Sequence, residues 1–102
     1  MYSPWITAYK DNVYNLKVSL DDDLLCIHCS VHGKVNSRNL KVLEGAFKEV
    51  CSQLEGKGFH RIYAHTPDLR FVRLVTGDTF HYITDIEGQP FIVWEFEEYL
   101  YG

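Results

Sequence analysis

Residues 24–65 read LLCIHCSVHGKVNSRNLKVLEGAFKEVCSQLEGKGFHRIYAH, and this stretch decides the fold because its apolar period changes twice. Over residues 24–32 the side chains alternate. Leu25, Ile27, Cys29 and Val31 fall on one face, and Cys26, His28, Ser30 and His32 on the other, the period of two of a half-buried strand. After Gly33 the spacing becomes three and four: Leu40, Leu43, Phe47, Val50, Cys51 and Leu54 lie on one stripe of a helix. Asn36 or Ser37 can cap its start by accepting a bond from a first-turn amide, and Gly56 or Gly58 can close its end in a left-handed conformation. Residues 59–65 return to a strand-like run with Ile62 and Ala64 inside. A strand, a long helix and a second strand form a crossover unit, which is right-handed with its two strands parallel in nearly all sheets.

Working outward, Thr66-Pro67-Asp68 supplies a cap with proline at the first helical position. A short helix is expected over residues 68–76, with Leu69, Val72 and Val75 facing the core, Phe71 widening the stripe and Gly77 ending it. Residues 79–85 and 90–96 read as strands joined through Glu87-Gly88-Gln89, the strongest hairpin signal in the chain. Upstream, residues 5–9 and 13–20 alternate about an Asp11-Asn12 turn, and Asp21-Asp22-Asp23 turns the chain into the central strand. Residues 97–102 are expected to extend the last strand or fray. The order is β-β-β-α-β-α-β-β, a single mixed sheet with two helices of the α+β or α/β class, in one domain over residues 1–102.

Length and charge narrow the function classes. A chain of 102 residues with 46% hydrophobic and 24% charged residues holds one core without metals or disulfides, since folding buries somewhat under about 70% of the surface at this size. A net charge of −4 argues against nucleic acid as a partner, which calls for a basic stripe. No apolar run approaches the roughly 20 residues of a membrane span, so no membrane partner is expected. The N-terminus lacks the basic and then apolar pattern of a signal peptide. Three cysteines are odd in number and too few for a disulfide framework, which points to a reducing, cytoplasmic setting.

The segment from Leu24 to Ile83 resembles the GCN5-related N-acetyltransferase (GNAT) superfamily, and especially small GNAT-like proteins of bacteriophages. Residues 27–33 look like the family's central strand, and residues 61–68 like its next strand running into a short helix. Residues 71–80 look like the closing segment, with Gly77 and Phe80 as its Gly and aromatic. The hairpin to Trp94 would be the last two strands. The resemblance covers about three quarters of the chain and rests on element order; it implies a truncated fold lacking the first strand and the two helices that cover the acceptor.

The resemblance further implies acetyl-CoA, held by its pyrophosphate at the start of the long helix in a loop of the form Gln/Arg-x-x-Gly-x-Gly/Ala. Such a start offers free N–H groups and partial positive charge, and glycines let the backbone approach the phosphates. With Val31 ending the strand, Asn36 takes the Gln/Arg position and the two glycines fall on Asn39 and Lys41, neither of which is glycine. Asn36, Ser37, Arg38, Asn39 and Lys41 would be the cofactor-binding residues if acetyl-CoA binds. The family's tyrosine position in the short helix is Arg73, and no Glu lies on the central strand. For an enzyme, His28 or His32 can act as base, with Tyr63 or Tyr82 approaching from neighbouring strands. Of these, His28 and Tyr63 are the catalytic candidates.

Other constellations are weaker. Cys26 and Cys29 have C-x-x-C spacing, yet residues three apart in a strand point to opposite faces, so no metal site is expected. Asp21-Asp22-Asp23 and Glu95, Glu97 and Glu98 are too sparse for a mimic of DNA and read as a turn and a solvated edge. No Gly-x-Ser-x-Gly elbow or Walker loop occurs. Aromatic residues crowd both ends: Tyr2, Trp5 and Tyr9, then Phe91, Trp94, Phe96, Tyr99 and Tyr101. Trp and Tyr are favoured interface anchors, so Trp94, Phe96, Tyr99 and Tyr101 are expected on an edge, binding a protein partner or pairing strands in a homodimer. Missing glycines and a missing acid imply a non-catalytic interaction module with no cofactor, phage-encoded on the resemblance, as a virion component or a binder of a host or defence protein. The alternative is a minimal acetyl-CoA-dependent N-acetyltransferase with an atypical loop.

Overall fold

The alternation over residues 24–32 becomes the third strand of a six-stranded mixed sheet, seen in a computed structural model that describes residues 4–102. In chain order the elements are β1 (Ile6–Lys10), β2 (Tyr14–Asp21), β3 (Leu24–Val31), α1 (Ser37–Gly56), β4 (Arg61–His65), α2 (Leu69–Thr76), β5 (His81–Ile86), β6 (Gln89–Glu95) and α3 (Phe96–Tyr101). The strands lie in the order β1-β2-β3-β4-β6-β5. All neighbours are antiparallel except β3 and β4, which run parallel across the α1 crossover. The fold is therefore α+β, with the expected order of strands and first two helices.

Two turns fix the hairpins. Asp22 and Asp23 both take left-handed φ, 46° and 68°, between the paired Asp21 and Leu24, as a two-residue hairpin requires; Asp tolerates that region better than most side chains. Glu87 and Gly88 do the same between Ile86 and Gln89, with φ of 53° and 79°.

One sheet face holds the core. Tyr14, Leu16, Leu25, Ile27, Ile62, Ala64, Ile92 and Trp94 project from it against Leu43, Phe47, Val50 and Cys51 of α1, Val75 of α2, and Phe96 and Tyr99 of α3. Phe47 is the centre of the aromatic packing, its ring 4.8 Å from that of Trp94, edge on, and 5.3 Å from that of Tyr99. The opposite face carries no helix among the described residues.

The third helix corrects the expectation for residues 97–102. Phe96, Tyr99 and Leu100 repeat at three and four and pack on the core, while Glu97 and Glu98 sit in the first turn, where the helix dipole favours them. Smaller corrections have local causes. The fourth strand begins at Arg61 because Gly58, at φ 97°, and the Phe59 amide bonded to the Leu54 carbonyl still belong to the α1 terminus. The fifth begins at His81 because Thr79 Oγ1 donates to the Thr76 carbonyl in the turn after α2. Asp68, and not the residue before Pro67, is the α2 cap, accepting from the Phe71 amide.

Candidate functional site

The first turn of α1 is where an anion would dock, and its own side chains close it. Asn36 Oδ1 accepts from the Asn39 amide at 2.9 Å, and Asn39 Oδ1 accepts from the Asn36 amide at 3.0 Å, a reciprocal capping box. Asn39 Nδ2 donates to the Lys34 carbonyl at 2.9 Å, and the Tyr14 hydroxyl donates to Asn39 Oδ1 at 2.6 Å. Every polar atom of the Asn39 side chain is thus committed, and Tyr14, fully buried on β2, ties the turn to the sheet. Asn36, Ser37, Arg38 and Lys41 are exposed around it. Side chains stand at both positions where the resemblance places glycine, and the Asn36 and Asn39 amides already have their acceptors.

The second feature is a short ladder in the sheet. The β3–β4 ladder consists of the single pair Cys26↔Tyr63, whereas β2 and β3 pair along their whole length. No further pair joins the two strands, and beside them lies a cavity of about 130 Å³. Ile27 and Ala64 form its sheet wall, Leu43 and Phe47 its α1 wall, and Phe71 and Val75 its α2 wall; His28 and His65 stand at its mouth.

The catalytic candidates reach the open face of the sheet but do not meet in a proton relay. His28 is exposed, with its ring 6.0 Å from that of Trp5. Tyr63 is half-buried and stacked on Phe91, rings 5.4 Å apart and 5° from parallel. The strand register therefore places both residues on one face, while each ring packs on a different aromatic. Arg73 pairs with Asp78 at 2.8 Å and lies over the Phe80 ring. Cys26 and Cys29 point to opposite faces, as strand geometry demands. Burial pushes the Cys29 thiol up to about 11 and the Cys51 thiol up to about 12, so neither is a ready thiolate for nucleophilic attack or metal ligation.

The aromatic tail is core. Trp94, Phe96 and Tyr99 are 4%, 0% and 8% exposed, and cannot present a docking edge, which corrects the expectation for all three. The cause is α1: Phe47 reaches into the tail, and α3 folds back over it. Tyr101 alone of the four is exposed, its hydroxyl bonded to Glu55. Tyr2 lies outside the described residues. Nor does β6 form an edge, since β5 flanks it. The outer strand β5 is exposed at every residue, with Tyr82, Ile83 and Ile86 among the large apolar groups left open. Sequence reading missed this surface; the run His81-Tyr82-Ile83-Thr84 signalled a strand without signalling its place in the sheet. No helix is long and apolar enough to cross a membrane among the described residues. No family model, no curated protein and no solved structure matches this chain.

Proposed function

We propose that this chain is a non-catalytic protein-binding module built on a reduced acetyltransferase-like architecture. The observation that carries the reading is the closed first turn of α1, where Asn36, Asn39 and Tyr14 bond to one another in the place of a phosphate. The separate packing of His28 and Tyr63 supports it by leaving these two candidates unpaired with each other. The contact surface is the outer edge of β5, the last strand of the sheet among the described residues, where the apolar side chains of Tyr82, Ile83 and Ile86 suit strand addition by a protein partner or by a second copy in a homodimer. On the resemblance to small phage proteins, that partner is a virion, host or defence protein.

The experiment pairs two measurements. In calorimetry the chain is expected to give no saturable heat with acetyl-CoA, and micromolar binding would overturn the reading. Tyr82→Lys with Ile86→Lys, which charges the edge, is expected to abolish self-association in sedimentation or recovery of a stoichiometric partner; unchanged assembly would remove β5 as the surface. A minimal acetyl-CoA-dependent acetyltransferase is the second reading, which saturable acetyl-CoA binding in the same calorimetry would favour.

A further inference from the structure

We propose that the cavity beside β3 and β4 binds a small, neutral, single-ring aromatic molecule. This goes beyond the interaction reading and does not depend on it. Size is the first argument. At about 130 Å³, this partly open cavity has close to the room of an apolar cavity of roughly 150 Å³ that takes up benzene.

The wall chemistry is the second argument. Thr76 Oγ1 donates to the Val72 carbonyl at 3.0 Å and accepts from Trp94 Nε1 at 3.4 Å, so the two polar groups of the inner wall are spent on protein partners. At the mouth, His65 Nε2 donates to the Ile86 carbonyl at 2.7 Å, and Thr66 Oγ1 accepts from the Asp68 amide at 3.1 Å. The buried side-chain atoms left without partners among the described residues are Asn15 Oδ1 and Tyr99 Oη, and neither residue lines the cavity. No Asp, Glu, Lys or Arg lines it either. An ionised guest would lose its water against an inner wall that carries no opposite charge, which disfavours it on desolvation grounds. An aromatic guest meets Phe47 and Phe71, with Trp94 already edge-on to Phe47; offset and edge-on ring pairs add to simple area burial.

The test uses the full chain with benzene as the probe and benzoate as the charged control. Trp5→Phe leaves Trp94 as the only indole, so emission reports the cavity wall. Benzene is expected to change Trp94 emission saturably and to raise Tm with concentration, as a ligand of the native state must; benzoate is expected to do neither. Ala64→Ile fills the cavity from the sheet side and is expected to weaken benzene binding by at least about tenfold, the behaviour of a filled void. Val75→Phe fills it from α2 and serves if the first variant does not fold. No saturable response up to the solubility of benzene, equal binding of benzoate, or unchanged affinity in a folded cavity-filling variant would each overturn the proposal.

Discussion

Replacing Asn39 by Ala tests how the first turn of α1 is held. The substitution removes the acceptor of the Tyr14 hydroxyl, the acceptor of the Asn36 amide and the donor to the Lys34 carbonyl. The two exposed backbone groups regain water, so each lost bond costs about 0.5–1.5 kcal/mol. Tyr14 is fully buried, and its orphaned hydroxyl costs about 1–3 kcal/mol. Alanine returns roughly 0.5 kcal/mol as the better helix former. The expected net loss is about 1.5–5.5 kcal/mol, centred near roughly 3.5, read as a lower midpoint in urea unfolding at unchanged slope. Tyr14→Phe removes the same hydroxyl from the other side, so the double-mutant cycle isolates the tie between turn and sheet. A coupling of about 1 kcal/mol is expected for contacting residues. Additivity within about 0.3 kcal/mol, the behaviour of independent sites, would refute the view that Tyr14 anchors the turn.

Three further outcomes follow from the same packing. Gly45 lies exposed in the middle of α1, with open space where an alanine methyl would stand, so Gly45→Ala should raise stability by about 0.5–1 kcal/mol; a loss in urea unfolding would mean the helix is strained there. Phe96→Ala should cost about 3–5 kcal/mol as a deleted core aromatic, while Tyr101→Ala should stay within about 0.5 kcal/mol as a surface change; equal effects would contradict the division of the tail into core and surface. The hydrogen bond and charge of Glu98 hold the His81 imidazole above its usual range. Because the folded pKa is raised, that pair contributes in full below about pH 6.5 and its contribution is lost as pH rises through the folded value. NMR titration should show the His81 midpoint fall in Glu98→Gln; an unmoved midpoint would dismiss the pair.

The centre of the fold was legible because its signals are local. Alternation through Leu25, Ile27 and Cys29, the stripe from Leu40 to Leu54 and the Asn36 cap each follow from residues close in sequence, and the structure keeps all three. The third helix was legible too, in the spacing of Phe96, Tyr99 and Leu100, but their aromatic, strand-like character drew the reading toward an extended tail. Whether Trp94 is core or edge was not local at all. It depends on Phe47, 47 positions upstream by sequence number, entering the same cluster. The shortness of the β3–β4 ladder depends on where backbone pairing stops, which no side chain announces. Likewise Asn39 showed its bulk in the sequence, whereas its bond to Tyr14, 25 residues away, required the fold.

The most direct measurement is an NMR titration with acetyl-CoA that follows the backbone amides of Ser37, Arg38 and Asn39. With the turn closed on itself, these resonances are expected to stay in place through millimolar ligand. Saturable shifts of all three at micromolar concentration would mean that the turn opens to take a pyrophosphate, and would contradict the account.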